Sequence, residues 1–275
     1  MWDLFQTTLD LPKLSSTTLF RATHIFTRLR LYCGKEQTMT LSLREIPIYN
    51  GSYDDLVNEI KLYLNLPNPP AHIVTLNPEI WVDAQTNSQL HTAITSARWV
   101  TADGIGIVMG QRLLKIPSSP RRTGADLTHH LLASGGLRFY LLGSTQDAVE
   151  AAVETIKKRY PNATISGFMN GFFSLDMLPK IGKTIQACAP DIILVGMGSP
   201  RQDLVIAELK MALSRGVIIG VGGVIDVLAG TVQRAPKWMQ QLGIEWLWRI
   251  ARQPQRISRL LRTIPRFISS IYNPQ

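Results

Sequence analysis

Short β-branched and aromatic runs recur along this chain, each closing on a small polar residue and leading into an amphipathic stretch of helical period. "HIVTLNPEI", "ARWVTADGIGIVMG", "LRFYLLGST", "ATISGFMNGFF", "APDIILVGMGSP" and "GVIIGVGGVID" are the strand candidates, and "DAVEAAVETIKKRYP" is the clearest intervening helix. This alternation predicts a parallel sheet with crossover helices, since parallel strands cannot be joined by tight hairpins. The expected fold class is α/β, a Rossmann-like, mostly parallel sheet flanked by helices. In such sheets ligands sit outside the carboxyl ends of the strands. The candidate site is therefore assembled from the turns at Asn77, Asp103–Gly104, Gly143–Ser144, Gly198–Ser199 and Gly222–Gly223.

Charge divides the chain. The net charge is +9, yet residues 231–275 hold eight Lys/Arg against one acid, Glu245, so the body is near neutral. Residues 1–40 lack a sustained period and read as a disordered N-terminal extension. Residues 41–235 read as the α/β core and 236–275 as a basic, helical, membrane-associating appendage. Cys33 and Cys188 are too few for a disulfide framework or a zinc site. No apolar run approaches the roughly 20 residues of a membrane span, and no signal pattern opens the chain. A cytoplasmic protein, peripheral on the inner face of the membrane, is expected.

The stretch "WRIARQPQRISRLLRTIPRF" carries six arginines and no acid. Their spacing of 3, 4, 3, 3 and 4 places Arg249, Arg252, Arg256, Arg259, Arg262 and Arg266 on one helical stripe. Ile257, Leu260, Ile264 and Phe267 are expected to enter the headgroup region beside it, with Trp238, Trp246 and Trp248 upstream. Pro254 and Pro265 are expected to break the stretch into short helices. Nucleic acid is the rival partner for such a stripe, and the interleaved bulky aliphatics argue against it.

Several candidates have a structural alternative. Asp103 is a helix N-cap or a general base. Gly222 and Gly223 serve phosphate approach or close helix packing, and the third glycine of a dinucleotide fingerprint is missing. An arginine of "RRTGAD" grips a phosphate while Asp126 caps. Gln202 is demanded by neither capping nor packing. D-x-D, the pair that holds a divalent cation on a nucleotide diphosphate in many sugar transferases, is absent. Arginines and backbone amides would have to neutralise the charge.

Together "TLNPE", "ADGIGI", "RRTGADL", "FYLLGS", "GFMNGFF", "GMGSPRQD" and the long block "GVGGVIDVLAGTVQRAPKWMQQLGIEWLWR" resemble, in order, the WecG/TagA/CpsF family of bacterial glycosyltransferases, over about residues 41–270. The resemblance implies inverting, metal-independent transfer of an N-acetylmannosamine-type sugar from a UDP-sugar to a polyprenyl-diphosphate-linked sugar, in cell-surface polysaccharide synthesis. It implies no cofactor, and Asp103 as catalytic base. Thr75 and Asn77 would line the donor pocket, and Arg122, Gln202, Gly222, Gly223 and Asp226 would surround the nucleotide sugar. Arg249, Arg256 and Arg259 would close over the diphosphates. Two departures, "PRQD" and "GGVID" in place of the family's commoner Lys-Gln-Glu and aromatic-Asp, bear on sugar preference. Two rival readings are a nucleotide-dependent oxidoreductase on the same sheet type and a non-catalytic membrane-surface protein. A homo-oligomer is compatible with all of them, and no nucleic-acid partner is expected.

Overall fold

Strands covered on both faces need unbroken apolar runs, and "IILVG" and "VIIG" supply them with every residue buried. The computed structural model describes residues 40–43 and 45–272, so the expectation for residues 1–39 lies outside the described residues. A two-stranded sheet of β1 (Thr40–Leu43) and β2 (Ile46–Tyr49) comes first. The main sheet holds β3 (Ala71–Leu76), β4 (Trp99–Ala102), β5 (Arg138–Gly143), β6 (Thr164–Met169), β7 (Ile192–Gly196) and β8 (Val217–Gly220). All six are parallel, in the order β4-β3-β8-β7-β5-β6. The chain thus has the expected α/β, Rossmann-like architecture.

Several helices start where the sequence places caps. Ser52 and Asp55 form a capping box for α1 (Tyr53–Leu64). Asn77, followed by Pro78, opens α2 (Pro78–Thr86), and α3 (Ser88–Thr95) follows from Asn87. The crossovers continue with α4 (Ile105–Leu113), α5 (Gly124–Ala133), α6 (Gln146–Arg159), α7 (Leu178–Cys188), α8 (Arg201–Ala212) and α9 (Val224–Ala229). From β5 the chain runs through α6 to β6 on one side, and from β7 through α8 to β8 on the other. The carboxyl ends of β5 and β7 therefore flank a topological switch point. Gly143 is there for closeness: a Cβ on it would lie 2.2 Å from the Gly196 carbonyl oxygen.

After β8 the chain forms α10 (Lys237–Gln241), α11 (Glu245–Arg252) and α12 (Arg256–Tyr272). Two expectations need correction here. Pro254 does fall in the break between α11 and α12, but Pro265 lies inside an unbroken α12. An internal proline costs a helix about 3 kcal/mol, and tertiary packing one turn away offsets it. The second correction concerns Phe267, which is only 4% exposed. Phe267 and Ile271 join the core cluster of Leu43, Leu76, Ile80, Trp81 and Ile107. Phe267 meets the Trp81 ring edge-to-face at 6.4 Å, and Trp81 Nε1 donates to Ser270 Oγ at 2.9 Å. Phe267 is thus the bolt that holds α12 to the body and is not a headgroup anchor. Among the described residues, no helix is long and apolar enough to cross a membrane.

Candidate active site

The carboxyl ends of β3, β5 and β8 form one rim of the candidate site, and its polar groups are tied to backbone. Thr75 Oγ1 donates to the Gly220 carbonyl at 2.8 Å, joining β3 to β8. Asn77 Oδ1 accepts the Glu79 and Ile80 amides. Gln202, buried at the start of α8, accepts the Gly222 N–H on Oε1 at 3.0 Å. That bond explains the residue: it latches the turn after β8, where Gly222 holds φ 55° with open space at its Cβ position. Gly223 N-caps α9. Ser144, at φ 58°, donates its hydroxyl to Asp226 Oδ1 and bridges the β5 and β8 ends.

Asp103 follows β4, and its N–H is fixed to the Leu76 carbonyl at 2.7 Å. Gly104, not Asp103, is the N-cap of α4, and that helix has no side-chain cap. The capping alternative is thereby excluded. Burial pushes the Asp103 carboxyl up to about 6; the nearby Arg249 guanidinium pulls it down, and Glu245 raises it again. A carboxyl of that pKa has the ionised fraction and the basicity that proton abstraction near neutrality needs.

The appendage forms the other rim, through the charge of Arg249 acting on Asp103 and the pairing of Arg259 with Glu79. The six arginines do not share one stripe, because the break at Gln253–Gln255 separates Arg249 and Arg252 from the rest. Arg252 turns away, stacking on Trp248 at 4.8 Å and donating to Gln233 Oε1. Arg249, Arg256 and Arg259 gather. Burial and the charges of Arg249 and Arg259 lower the Arg256 pKa, and Arg259 pairs with Glu79 at 2.9 Å. One turn before Arg249, Glu245 accepts Arg121 Nη1 at 2.8 Å and Arg234 Nε at 3.1 Å. Arg234 continues to Asp126 at 2.6 Å. These pairs clamp α11 to the body and set the position from which Arg249 reaches toward Asp103.

Of the two adjacent arginines, the sequence reading selected Arg122. Its guanidinium stacks on Tyr53 at 4.8 Å and donates to the Gly51 carbonyl at 3.0 Å. Arg121 is the one whose charge acts on Asp103. Nothing local separates the two, since the choice is made by Glu245, more than a hundred residues away. The sequence marks neither Glu245 nor Phe172 as a candidate. Phe172, in the turn after β6, is 78% exposed, and the adjoining Gly171 packs on Gly143 and Ser144. The place of Phe172 in the run "GFMNGFF" is the one sequence signal that points to it. Among the described residues, no group of three or more His, Cys, Asp or Glu is placed to hold a metal ion.

Comparison with known proteins shows the family. Residues 41–274 match the family model described as "Glycosyl transferase WecG/TagA/CpsF family". A Bacillus subtilis (strain 168) relative is 31% identical over 235 residues, covering 84% of this chain and 91% of that protein. A Staphylococcus aureus (strain MW2) relative is 33% identical over 241 residues, covering 86% and 94%. Both are named N-acetylglucosaminyldiphosphoundecaprenol N-acetyl-beta-D-mannosaminyltransferase. The strand-end turns, Asp103 and the arginine-bearing appendage all lie within the matched span, and this chain belongs to the WecG/TagA/CpsF family of glycosyltransferases.

Proposed function

We propose that this enzyme transfers an N-acetylmannosamine-type sugar from a UDP-sugar to a polyprenyl-diphosphate-linked N-acetylglucosamine, with inversion and without a metal, at the inner face of the membrane. The observation that carries this reading is the carboxyl of Asp103, which caps no helix, is raised to about 6 and is faced by Arg249. The names of the relatives supply the sugar and the acceptor class.

Asp103 takes the proton of the acceptor hydroxyl as its oxygen attacks the anomeric carbon from the side opposite the diphosphate. The carbon–oxygen bond to the diphosphate breaks, and UDP leaves with the electron pair. One base and one displacement give inversion. Arg249, Arg256 and Arg259 meet the charge that develops on the leaving group, and the bare Gly222–Gly223 backbone allows a phosphate to approach closely. Arg121 and Glu245 orient the clamp. Phe172 offers a ring face on which a nucleobase stacks. The exposed apolar residues Leu242 and Leu261, at 65% and 68%, and Trp238, at 57%, suit an interfacial surface.

The test is turnover of UDP-N-acetylmannosamine and other UDP-sugars with a short-chain prenyl-diphosphate-N-acetylglucosamine, with the anomeric configuration of the product read by NMR. Transfer with inversion in the presence of EDTA is expected. Retention, or a strict requirement for added magnesium or manganese, would overturn the mechanism.

A further inference from the structure

A cavity of about 430 Å³ lies between α5, α6 and α10, and none of the residues assigned above to the donor or the catalytic step lines it except through the Arg234–Asp126 pair. Its polar wall is made by Arg159, Arg234, Lys237, His129, Tyr160 and Asp126. Three cations and one carboxylate thus line it. That carboxylate is already engaged, by Arg234 at 2.6 Å and by the Thr123 hydroxyl at 2.7 Å. Among the described residues Lys237 has no ion pair or hydrogen bond, and Arg159 has only the face of Tyr160, at 5.9 Å. One Arg234 nitrogen, Nη2, is buried without a partner. A folded protein ordinarily pairs or solvates such groups, and a concave site with several cations and no free acid keeps a positive potential.

We propose that this cavity binds a phosphate-bearing anion, separately from the nucleotide sugar. Arg159 at the end of α6 and Lys237 at the start of α10 meet the phosphate oxygens, and Arg234 backs them. Guanidinium and ammonium donors of this kind form charge-assisted bonds to phosphate. Burial and the charges of Arg234 and Arg159 lower the His129 pKa, so the imidazole is neutral at pH 7 and adds no charge of its own. Its Nδ1 is bonded to the Tyr160 hydroxyl. The phosphate has two physical sources, a phospholipid headgroup or a soluble phosphate. The neighbour of Lys237 on α10 is the exposed Trp238, an interfacial side chain, which makes the headgroup the occupant to test first.

The experiment titrates the full chain, by calorimetry, with inorganic phosphate and with monomeric dihexanoylphosphatidylglycerol. Saturable binding is expected for at least one of them, weakened tenfold or more in the double variant Arg159→Ala, Lys237→Ala and retained in Arg256→Ala, Arg259→Ala. Tighter binding of the phosphatidylglycerol identifies a headgroup site, and equal or tighter binding of inorganic phosphate identifies a soluble ligand. Both side chains are exposed, so the double variant should fold, and an unchanged thermal midpoint verifies that it does. Absence of saturable binding at millimolar concentrations overturns the proposal. So does binding that survives in the Arg159/Lys237 variant but is lost with Arg256 and Arg259.

Discussion

At the strand-end rim, side chains are held by backbone: Gln202 by the Gly222 amide, Thr75 by the Gly220 carbonyl and Asn77 by two amides of α2. At the appendage rim, Arg249 and Arg256 lie on the surface of α11 and α12, and Arg259 is held by one half-exposed ion pair. The first rim loses little entropy when a ligand arrives, because its rotamers are already locked. The second must order long side chains around its ligand, and under the proposed function it can adjust to a lipid-linked substrate. The join between them is part-buried at Glu245 with Arg121 and Arg234, and buried at Phe267 with Trp81. A preformed half and an adjustable half thus meet at Asp103.

The sharpest break in this comparison is at Asp103 itself. Asp103→Asn should lower turnover by about 10²–10⁴-fold, the usual worth of a general base, with UDP affinity nearly unchanged by titration. Near-normal turnover would remove Asp103 from the chemistry. The raised pKa has two consequences with opposite signs. Activity should fall as the pH drops through about 6, as the base takes up its proton. Stability should run the other way. A carboxyl whose folded pKa lies above its unfolded value stabilises the fold below the unfolded pKa, and that contribution is lost as pH rises through the folded one. Asp103→Asn should therefore be more stable than the parent at pH 8, by about 2–3 kcal/mol, and equal to it near pH 3. Chemical denaturation at the two pH values measures this.

Next in size is the bolt. Phe267→Ala should cost about 3–5 kcal/mol of stability, whereas Leu261→Ala, on the exposed side of the same helix, should leave the thermal midpoint in place and weaken only vesicle binding. Equal effects on stability would mean that α12 is not docked by one face. Cutting the chain before Trp248 would strip Phe267 and Ile271 from the core, so point variants give the cleaner reading of the appendage.

Arginine loss at the adjustable rim comes third. A charge-assisted bond to a diphosphate is worth about 1.5–3 kcal/mol, so Arg249→Ala, Arg256→Ala or Arg259→Ala should each lower turnover by roughly 10- to 150-fold on a water-soluble acceptor. Glu245→Gln should act through Arg249, lowering turnover less than Arg249→Ala does, with little further loss when the two are combined. Fully independent effects in that double-mutant cycle would show that Glu245 does not position Arg249. The smallest expected effect is that of EDTA, which should leave the rate unchanged.

The alternation of β-branched runs with amphipathic stretches determined the sheet, its parallel sense and the strand ends that carry Thr75, Asp103 and Gly222. These features follow from local period and local turn chemistry, which neighbouring residues encode. The basic, amphipathic character of the appendage was legible for the same reason. Tertiary contacts decided the rest. Arg121 and Arg122 are equivalent in sequence, and only Glu245 and Tyr53, brought from opposite ends of the chain, send one toward Asp103 and the other to a ring face. Phe267 belongs to an arginine-rich helix with exposed apolar residues on either side of it, and only the pocket beside Trp81 and Gly110 makes it core. Gln202 had no local reason at all, because its partner is a backbone amide twenty residues ahead. Periodicity reports which face of an element is apolar, but what that face meets depends on long-range packing, which no local pattern records.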